Sequence, residues 1–411
     1  WGVDFALIGP NGELLGNPRH YRDPHTETIQ EAAFATVSAA EIFKATGLQF
    51  LRFNTLFQLL AMDRDRSPLL AVAESMLLMP DLFHFWLSGV MANEITNAST
   101  TQCYNPVKRT WADTLIGRFG LSPTLFGELV PPGTNLGELL PDVAAETGLG
   151  PVPIVAPASH DTAAAVAGTP GQGDGWCYLS SGTWSLLGVE LQWPLIGESV
   201  RAANFTNEAG VGGTTRFLKN IMGLWLVQEC RRAWQKAGQE FSYEELTRLA
   251  EAAVPLRSLV DPDDASFMLP ASMPEALREF CRSTGQPVPD EPGAVGRCAL
   301  ESLALRYRWV IERIEELTDQ PLRTIHVVGG GSQNRLLNQM TADATGRVVL
   351  AGPVEATAVG NLLTQALGLG LVANLAEGRA LVARSFPVER YEPRSPQDWH
   401  QAYDRFLRLI S

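Results

Sequence analysis

The sequence predicts an α/β protein of two domains, and three observations support this. At 411 residues, 45% of them hydrophobic, the chain is too long for one ordinary core and apolar enough to bury two. From 324 to 350 a strand, three glycines, a helix and a second strand follow one another, the pattern of a β-α-β unit with parallel strands. Proline and glycine crowd residues 170–175 and indicate a boundary between domains of residues 1–168 and 169–411.

The first domain is predicted to begin with a hairpin and to continue mostly as helix. Asn11-Gly12 favours a tight turn, because these residues accept the positive φ angles that such a turn needs. Ser38 and Glu41 have the spacing of a capping box that opens a helix. The other predicted elements are the hairpin strands Val3–Ile8 and Glu13–Gly16, helices at Thr55–Arg64 and Thr110–Phe119, a strand at Val152–Ala156 and a helix at Thr162–Val166.

The second domain is predicted to alternate strands with helices. Strand signals cover Trp176–Leu191, Thr324–Val328 and Arg347–Leu350. Helices are predicted at Leu218–Lys236, Ala294–Thr318, Arg335–Ala344 and Pro396–Leu409, the last with Ser395 as its N-cap.

Charge and composition exclude several classes of partner. The formal net charge is -13, and no run of Lys or Arg forms a basic stripe, which argues against binding to nucleic acid or to an anionic membrane surface. No apolar run reaches the 18 or so residues of a spanning helix. An anionic ligand would therefore need local hydrogen-bond donors.

The five cysteines have no metal-binding spacing, and an odd number suits a reducing compartment. Buried free thiols are the preferred interpretation, although Cys281 and Cys298 are close enough in sequence for a local disulfide. We therefore expect a cytoplasmic protein.

Asp161 is the candidate general base, in the segment Ser159-His160-Asp161-Thr162 between a predicted strand and a predicted helix. An aspartate at such a junction is also a common N-cap. A serine-protease triad is excluded, because adjacent side chains do not converge as a triad requires. The end of a strand beside a glycine-rich segment favours a base that receives a hydroxyl proton next to a bound phosphate.

Two glycine turns are candidate phosphate contacts. In the hairpin around Ser181-Gly182, the Gly182 amide and the Thr183 hydroxyl can donate hydrogen bonds, although a plain turn explains the pattern equally well. The glycines 329–331, followed by Asn334 at the start of a helix, forfeit backbone entropy without side-chain packing. A closely approaching ligand explains them better than a turn does.

Two amides form a further candidate site. On the predicted helix Leu218–Lys236, Asn220 and Gln228 lie eight residues apart and share one face. One amide is then expected to reach a sugar and the other a nucleotide, whereas ordinary surface amides are the alternative.

Eight segments resemble, in the same order, those of the carbohydrate kinase family that includes glycerol kinase and xylulokinase, and most closely its rhamnulokinase branch. They are Trp1-Gly2-Val3-Asp4-Phe5, Tyr21-Arg22-Asp23, Phe53-Asn54-Thr55-Leu56, Met79-Pro80-Asp81, Ala158-Ser159-His160-Asp161-Thr162-Ala163, Ser180-Ser181-Gly182-Thr183-Trp184-Ser185, Leu218-Lys219-Asn220-Ile221-Met222-Gly223-Leu224-Trp225 and Gly329-Gly330-Gly331-Ser332-Gln333-Asn334. One match alone is weak, whereas eight in order are specific.

The resemblance implies an actin-like ATPase (ribonuclease H-like) fold, in which two domains close on a cleft. It also implies ATP-dependent phosphorylation of L-rhamnulose at O1, giving L-rhamnulose 1-phosphate and ADP, with Mg²⁺ carried mainly by the phosphates. The expected partners are a small sugar and ATP, and the expected state is a monomer or a homodimer.

The resemblance also implies the roles of individual residues. Asp161 matches the proton acceptor, and no residue matches a metal ligand. The residues that match sugar contacts are Gly2, His160, Asp161, Thr162 and Asn220. The residues that match nucleotide contacts are Thr183, Gln228, Gly330 and Asn334.

One feature of the family has no counterpart in this sequence, namely the first phosphate loop, rich in glycine and serine, on the opening hairpin. Its residues would precede Trp1, so we expect the N-terminal domain to be incomplete and these 411 residues alone to have little or no kinase activity.

Two alternatives stay open. The first is a kinase for another ketose, such as L-fuculose or xylulose, because pocket side chains cannot be placed from sequence. The second is a non-catalytic sugar or nucleotide sensor of the same fold, although such a sensor would have no need of the base Asp161.

Overall fold

Separate segments of the chain assemble into each of two units in the computed structural model, which describes residues 2–394 and 396–410. The first unit comprises the residues up to Gly168 together with Glu190–Leu218 and Thr357–Leu381. The second comprises Thr169–Val189, Lys219–Ala356 and the residues from Val382 onwards. The longest segment of the first unit ends at Gly168, and two later segments return to that unit.

The first unit combines short strands with many helices. Its strands are β1 (Phe5–Ile8), β2 (Ser75–Leu78), β3 (Asn93–Glu94), β4 (Tyr104–Asn105), β5 (Thr110–Trp111), β6 (Leu129–Val130), β7 (Thr134–Glu138) and β8 (Pro153–Ala156). Its helices are α1 (Ile29–Thr36), α2 (Ala39–Thr46), α3 (Thr55–Arg64), α4 (Pro68–Val72), α5 (Met79–Ser88), α6 (Ile95–Ala98), α7 (Asp113–Arg118), α8 (Pro141–Thr147) and α9 (Asp161–Ala167).

The core of this unit lies between its helices and the β1–β2 pair. Strand β1 runs antiparallel to β2, with Phe5 opposite Leu78. Fully buried side chains of α2, α3 and α7 pack together with those of β2: Ile42, Leu56, Leu59, Met76 and Ile116. The capping box of Ser38 and Glu41 opens α2, as predicted.

The second unit is built on a mixed sheet. Its strands β9 (Trp176–Ser181), β10 (Trp184–Leu191), β13 (Thr324–Val328), β14 (Val348–Ala351) and β15 (Glu389–Tyr391) have the order β10-β9-β13-β14-β15. Strand β13 is parallel to both β9 and β14, and the two outer pairs are antiparallel. Its helices are α11 (Trp225–Lys236), α12 (Tyr243–Ala252), α13 (Met273–Ser283), α14 (Pro292–Thr318), α15 (Arg335–Thr345) and α18 (Pro396–Leu407).

The returning segments contain the remaining elements: α10 (Glu198–Ala202), β11 (Thr206–Ala209), β12 (Thr215–Met222), α16 (Ala356–Gly368) and α17 (Leu375–Ser385). Strand β12 is antiparallel to β11, with Leu218 opposite Thr206, and α16 lies against α9 in the first unit.

Several sequence predictions are confirmed. Helix α3 has the predicted bounds, the β-α-β unit of β13, α15 and β14 is parallel, and all five cysteines are buried free thiols, so no disulfide joins Cys281 to Cys298. Helix α18 begins at Pro396, whereas its predicted N-cap, Ser395, lies outside the described residues, as does Trp1. Within the described ranges, no helix combines the length and the apolar character needed to cross a membrane.

The helix predicted at Leu218–Lys236 is wrong in its first third. Residues up to Met222 belong to β12, and α11 begins only at Trp225. Nearly every residue of β12 is buried, so its sequence lacks the alternation of a half-exposed strand, and periodicity cannot distinguish it from a buried helix. Gly223 separates the two elements where a side chain would collide with Ser185, since an added Cβ would lie 2.5 Å from the Ser185 hydroxyl.

Two smaller predictions are wrong in part. The predicted helix Thr110–Phe119 starts only at Asp113, because Thr110 and Trp111 pair with β4. The predicted hairpin keeps its turn, with Gly12 at a φ of 78°, but its second strand shrinks to a single bridge between Ile8 and Leu14.

A methyl group at Gly360 tests the packing of α16 on α9. In a Gly360→Ala variant the added Cβ would lie 1.7 Å from the Ala164 carbonyl oxygen, so backbone must move. We expect a loss of about 1–3 kcal/mol, seen as a lower midpoint of thermal unfolding. The control is Gly117→Ala in α7, where no atom lies within 4 Å and the midpoint should not fall. Equal midpoints for the two variants would contradict this tight packing.

Candidate active site

The carboxylate of Asp161 stands at the start of α9, just after strand β8. His160 occupies the N-cap position and Asp161 is the first helical residue, so the N-cap interpretation of Asp161 is wrong. One oxygen, Oδ1, accepts hydrogen bonds from the Thr162 amide at 2.7 Å and from the Thr162 hydroxyl at 3.3 Å. The side chain is 70% exposed, so the carboxylate is open to a solute.

Glu94 holds the segment that precedes Asp161. Its carboxylate is fully buried, and Oε2 accepts both the amide and the hydroxyl of Ser159, at 3.0 and 2.7 Å. The same carboxylate accepts the amides of Thr96 and Asn97 at the start of α6. Burial raises the pKa of Glu94, whereas these hydrogen bonds lower it. Glu94 therefore joins α6 to the residues that carry the candidate base.

The imidazole of His160 lies between Asp161 and a buried ion pair. Its Nε2 is 3.4 Å from Asp161 Oδ1, and its Nδ1 is 3.1 Å from Arg216 Nη2. Arg216 is fully buried, lies 3.0 Å from the Glu208 carboxylate and donates to the Ala209 carbonyl. The same Nδ1 lies 3.4 Å from Glu208 Oε2, so this ring nitrogen faces both members of the ion pair. His160 thus lies in contact with Asp161 on one side and with the buried ion pair on the other.

Gly2 lies close against this histidine. A Cβ at Gly2 would lie 3.0–3.1 Å from His160 Cδ2 and Nε2, and 3.3 Å from the amide oxygen of Asn97. The Thr100 hydroxyl donates to the Gly2 carbonyl at 3.0 Å and fixes this backbone. The structure therefore brings together four of the predicted site residues in the first unit: Gly2, His160, Asp161 and Thr162.

Thr183 and Gln228 meet in the second unit. Gly182 and Thr183 connect β9 to β10, and their carbonyls accept the amides of Leu224 and Trp225 at the start of α11. This docking brings Gln228 to the turn, where the Thr183 hydroxyl donates to its Oε1 at 3.1 Å. The hairpin and the helix thus present one hydroxyl and one amide together.

Packing explains two of the three consecutive glycines. At Gly329, with a φ of 84°, an added Cβ would lie 3.0 Å from the Ser181 carbonyl oxygen, and at Gly331 it would lie 2.0 Å from the Ser181 hydroxyl. Gly330 has no atom within 4 Å of an added Cβ. Of the three glycines, only Gly330 is therefore consistent with the prediction that a ligand approaches the backbone closely. Asn334 caps α15 by accepting the Leu337 amide at 3.0 Å.

Asn220 does not share a helix face with Gln228. It lies in β12, in the part that belongs to the second unit, whereas Gln228 lies in α11. The inference that a single helix presents both amides is therefore wrong, for the reason given for β12.

Three buried residues of this site were missed from sequence: Glu94, Glu208 and Arg216. For Glu208 and Arg216, the sequence contained a pattern that could have predicted their pairing. Glu208 and Arg216 flank a glycine-rich turn, and reading β11 and β12 as a hairpin places them opposite each other, which is their observed register. Glu94 had no comparable signal, because its partners are distant along the chain.

Comparisons with known proteins cover almost the whole chain. Residues 2–168 match the N-terminal domain of the FGGY family of carbohydrate kinases, and residues 177–369 match its C-terminal domain. A rhamnulokinase of Bacteroides thetaiotaomicron is 47% identical, over 100% of this chain and 84% of its own length. A rhamnulokinase of Pectobacterium carotovorum is 43% identical, over 100% of this chain and 81% of its own length.

Solved structures share the fold at low sequence identity. A gluconate kinase from Lactobacillus acidophilus has a TM-score of 0.80 at 14% identity, covering 99% of this chain and 82% of its own. Plasmodium falciparum glycerol kinase with ADP has a TM-score of 0.77 at 14% identity, covering 99% of this chain and 81% of its own. At such identities these likenesses concern the fold alone.

A double-mutant cycle tests the buried pair beside His160. In Arg216→Met the Glu208 charge is left buried without its partner, which should cost about 3–5 kcal/mol and lower the thermal midpoint by several degrees. Adding Glu208→Gln removes that charge and should recover part of the loss. A double variant no more stable than Arg216→Met alone would show that the two side chains are not coupled.

Proposed function

Because this chain belongs to the FGGY family of carbohydrate kinases, we propose that it transfers the γ-phosphoryl group of ATP to the 1-hydroxyl of L-rhamnulose. The chain has the two-domain α/β fold of actin-like ATPases, and it is a carbohydrate kinase. The single observation that carries the choice of sugar is the 47% identity to a rhamnulokinase along the whole chain. The products are L-rhamnulose 1-phosphate and ADP.

Asp161 is the proposed general base. A primary alcohol is a weak nucleophile, so its proton must leave as its oxygen attacks the γ-phosphorus. The Asp161 carboxylate takes that proton, a new phosphorus–oxygen bond forms to the sugar, and the bond to the β-phosphate oxygen breaks as ADP departs. The exposure of Asp161 and its firmly held neighbours support this role.

The proposed sugar contacts are Gly2, His160, Thr162 and Asn220. His160 Nε2 lies beside Gly2 and Asp161, and a ring nitrogen can hydrogen-bond a hydroxyl or carbonyl oxygen of a ketose. The Thr162 hydroxyl donates to Asp161 and so orients the carboxylate. Asn220 is included only because it matches a sugar contact of the family.

The proposed nucleotide contacts are Thr183, Gln228, Gly330 and Asn334 in the second unit. The paired Thr183 hydroxyl and Gln228 amide, and the open face at Gly330, support this assignment. Mg²⁺ would enter with the nucleotide and offset charge on the phosphoryl oxygens, and we propose no protein ligand for it. The domain of residues 1–168 would bind sugar, and that of residues 169–411 would bind nucleotide.

We place the enzyme in the cytoplasm as a monomer or homodimer. Its five buried free thiols support a reducing compartment. An enzyme that uses ATP is also expected in a compartment that contains ATP, such as the cytoplasm.

A substrate panel tests the choice of sugar. ADP release by the complete protein is measured with L-rhamnulose, L-fuculose and xylulose, and kcat/KM is expected to be highest for L-rhamnulose. A higher kcat/KM for another ketose would show that this ketose is the substrate, and the proposed reaction class would stand. ATP binding without ADP release on any sugar would favour a sensor.

Asp161→Asn tests the general base. The amide keeps the size of the side chain but cannot take the proton, so kcat should fall by about 10²–10⁴-fold. Calorimetry should show an unchanged Kd for nucleotide. Asp113→Asn is the matched control, since Asp113 is also the first residue of an exposed helix start, and it should keep full activity. A kcat for Asp161→Asn within a few-fold of the unmodified protein would remove Asp161 from this role.

A further inference from the structure

Asn97 has a buried amide that nothing in the described part of the chain satisfies. It lies in α6 with no exposed surface, yet neither its Nδ2 nor its Oδ1 has a hydrogen-bond partner among the described residues. Buried amides are nearly always paired, and an unpaired one costs free energy. A specific exception therefore calls for a ligand or a structural reason.

The backbone of Asn97 is held by hydrogen bonds, so a small backbone shift cannot bring its side-chain amide to another partner. Its amide donates to Glu94 at 3.3 Å, and its carbonyl accepts both the amide and the hydroxyl of Thr100, at 2.9 and 2.8 Å. That Thr100 hydroxyl also donates to the Gly2 carbonyl. Asn97 is thus fixed to the same framework as Gly2.

The amide lies close to Gly2 and His160. A Cβ built on Gly2 would lie 3.3 Å from Asn97 Oδ1 and 3.1 Å from His160 Nε2. Asn97 Oδ1 and His160 Nε2 therefore both lie close to Gly2, a residue that matches a sugar contact, and a side chain at position 2 would crowd them. Asp161 Oδ1 lies 3.4 Å from Nε2 of the His160 ring, whereas Arg216 contacts Nδ1 of the same ring.

We propose that Asn97 is a sugar-recognition residue of this site. Its Oδ1 accepts from one sugar hydroxyl and its Nδ2 donates to a neighbouring sugar oxygen. A neutral amide offering one acceptor and one pair of donors suits adjacent oxygens of a ketose, which carry no charge. This inference rests on the proposed function and adds a residue that determines which sugar binds.

Asn97 would act on specificity more than on affinity for sugars in general. A site that hydrogen-bonds a particular hydroxyl rejects an analogue without it, because the amide is then buried and unpaired again. In the protein without sugar, the Asn97 amide is already buried and unpaired among the described residues, so its unfavourable free energy is already present. Replacing Asn97 by an apolar side chain of similar size should therefore leave the fold intact or stabilise it.

Asn97→Leu tests this role by calorimetric titration with the ketose that the protein phosphorylates best, without nucleotide. We expect the Kd for sugar to rise at least about 10-fold, the Kd for nucleotide to stay unchanged and the thermal midpoint to hold or rise. The matched control is Asn93→Leu. Asn93 is also buried, but its amide donates to the Met76 carbonyl and accepts the Leu78 amide, so this variant should lose stability and keep its sugar Kd.

Deoxy ketoses identify the oxygen that Asn97 binds. For the analogue that lacks the recognised hydroxyl, the unmodified protein and Asn97→Leu should bind equally well, whereas the 10-fold difference should persist for other analogues. A change that acted only through the fold would weaken binding of all of them alike. Asn97→Ser, a smaller polar variant, gives the same comparison if the leucine variant does not fold.

The outcomes separate this inference from the proposed function. If the unmodified protein binds none of the ketoses, both fall. If it binds one and Asn97→Leu binds that sugar with the same Kd, only the role of Asn97 falls. In that case a buried water must satisfy the amide in the free and bound protein alike.

Discussion

The buried carboxylate of Glu94 is the interaction on which the candidate active site depends. One side chain accepts hydrogen bonds from the start of α6 and from Ser159, two residues before the candidate base. Without it, two segments far apart in sequence would each leave buried donors unsatisfied. Asn97 and Asp161 belong to these two segments, so the same contact sets the position of both.

A second buried charge network acts at the other side of His160. Arg216 and Glu208 neutralise each other inside the first unit, and Arg216 leaves one donor for the imidazole. A buried ion pair is weak evidence for stability, because desolvation offsets much of its attraction. Its clearer effect is to hold the ring of His160 in place. The candidate base Asp161 therefore has a firmly held polar neighbour, whereas its own carboxylate is open to solvent.

Much of the fold could be predicted from sequence where local signals were strong. Helix α3 and the unit of β13, α15 and β14 have clear periodicity and glycine boundaries, and the eight segments predicted the family that the two domain matches confirm. Strand β12 was taken for helix because both its faces are buried. Glu94 and Asn97 could not be found, because their significance lies in contacts with residues distant in sequence and in an amide left unpaired. The triple glycine suggested a ligand, although packing against Ser181 already accounts for two of its members.

The close contact of α16 with α9 bears on how the protein is made. The first unit includes Thr357–Leu381, and Thr357 donates to the Asp161 carbonyl across 196 residues of sequence. Domains emerging from the ribosome generally fold from the N-terminus onwards. Here the helix that carries the candidate base packs against a segment translated long after it. A chain halted before residue 357 would therefore lack the segment that packs against α9.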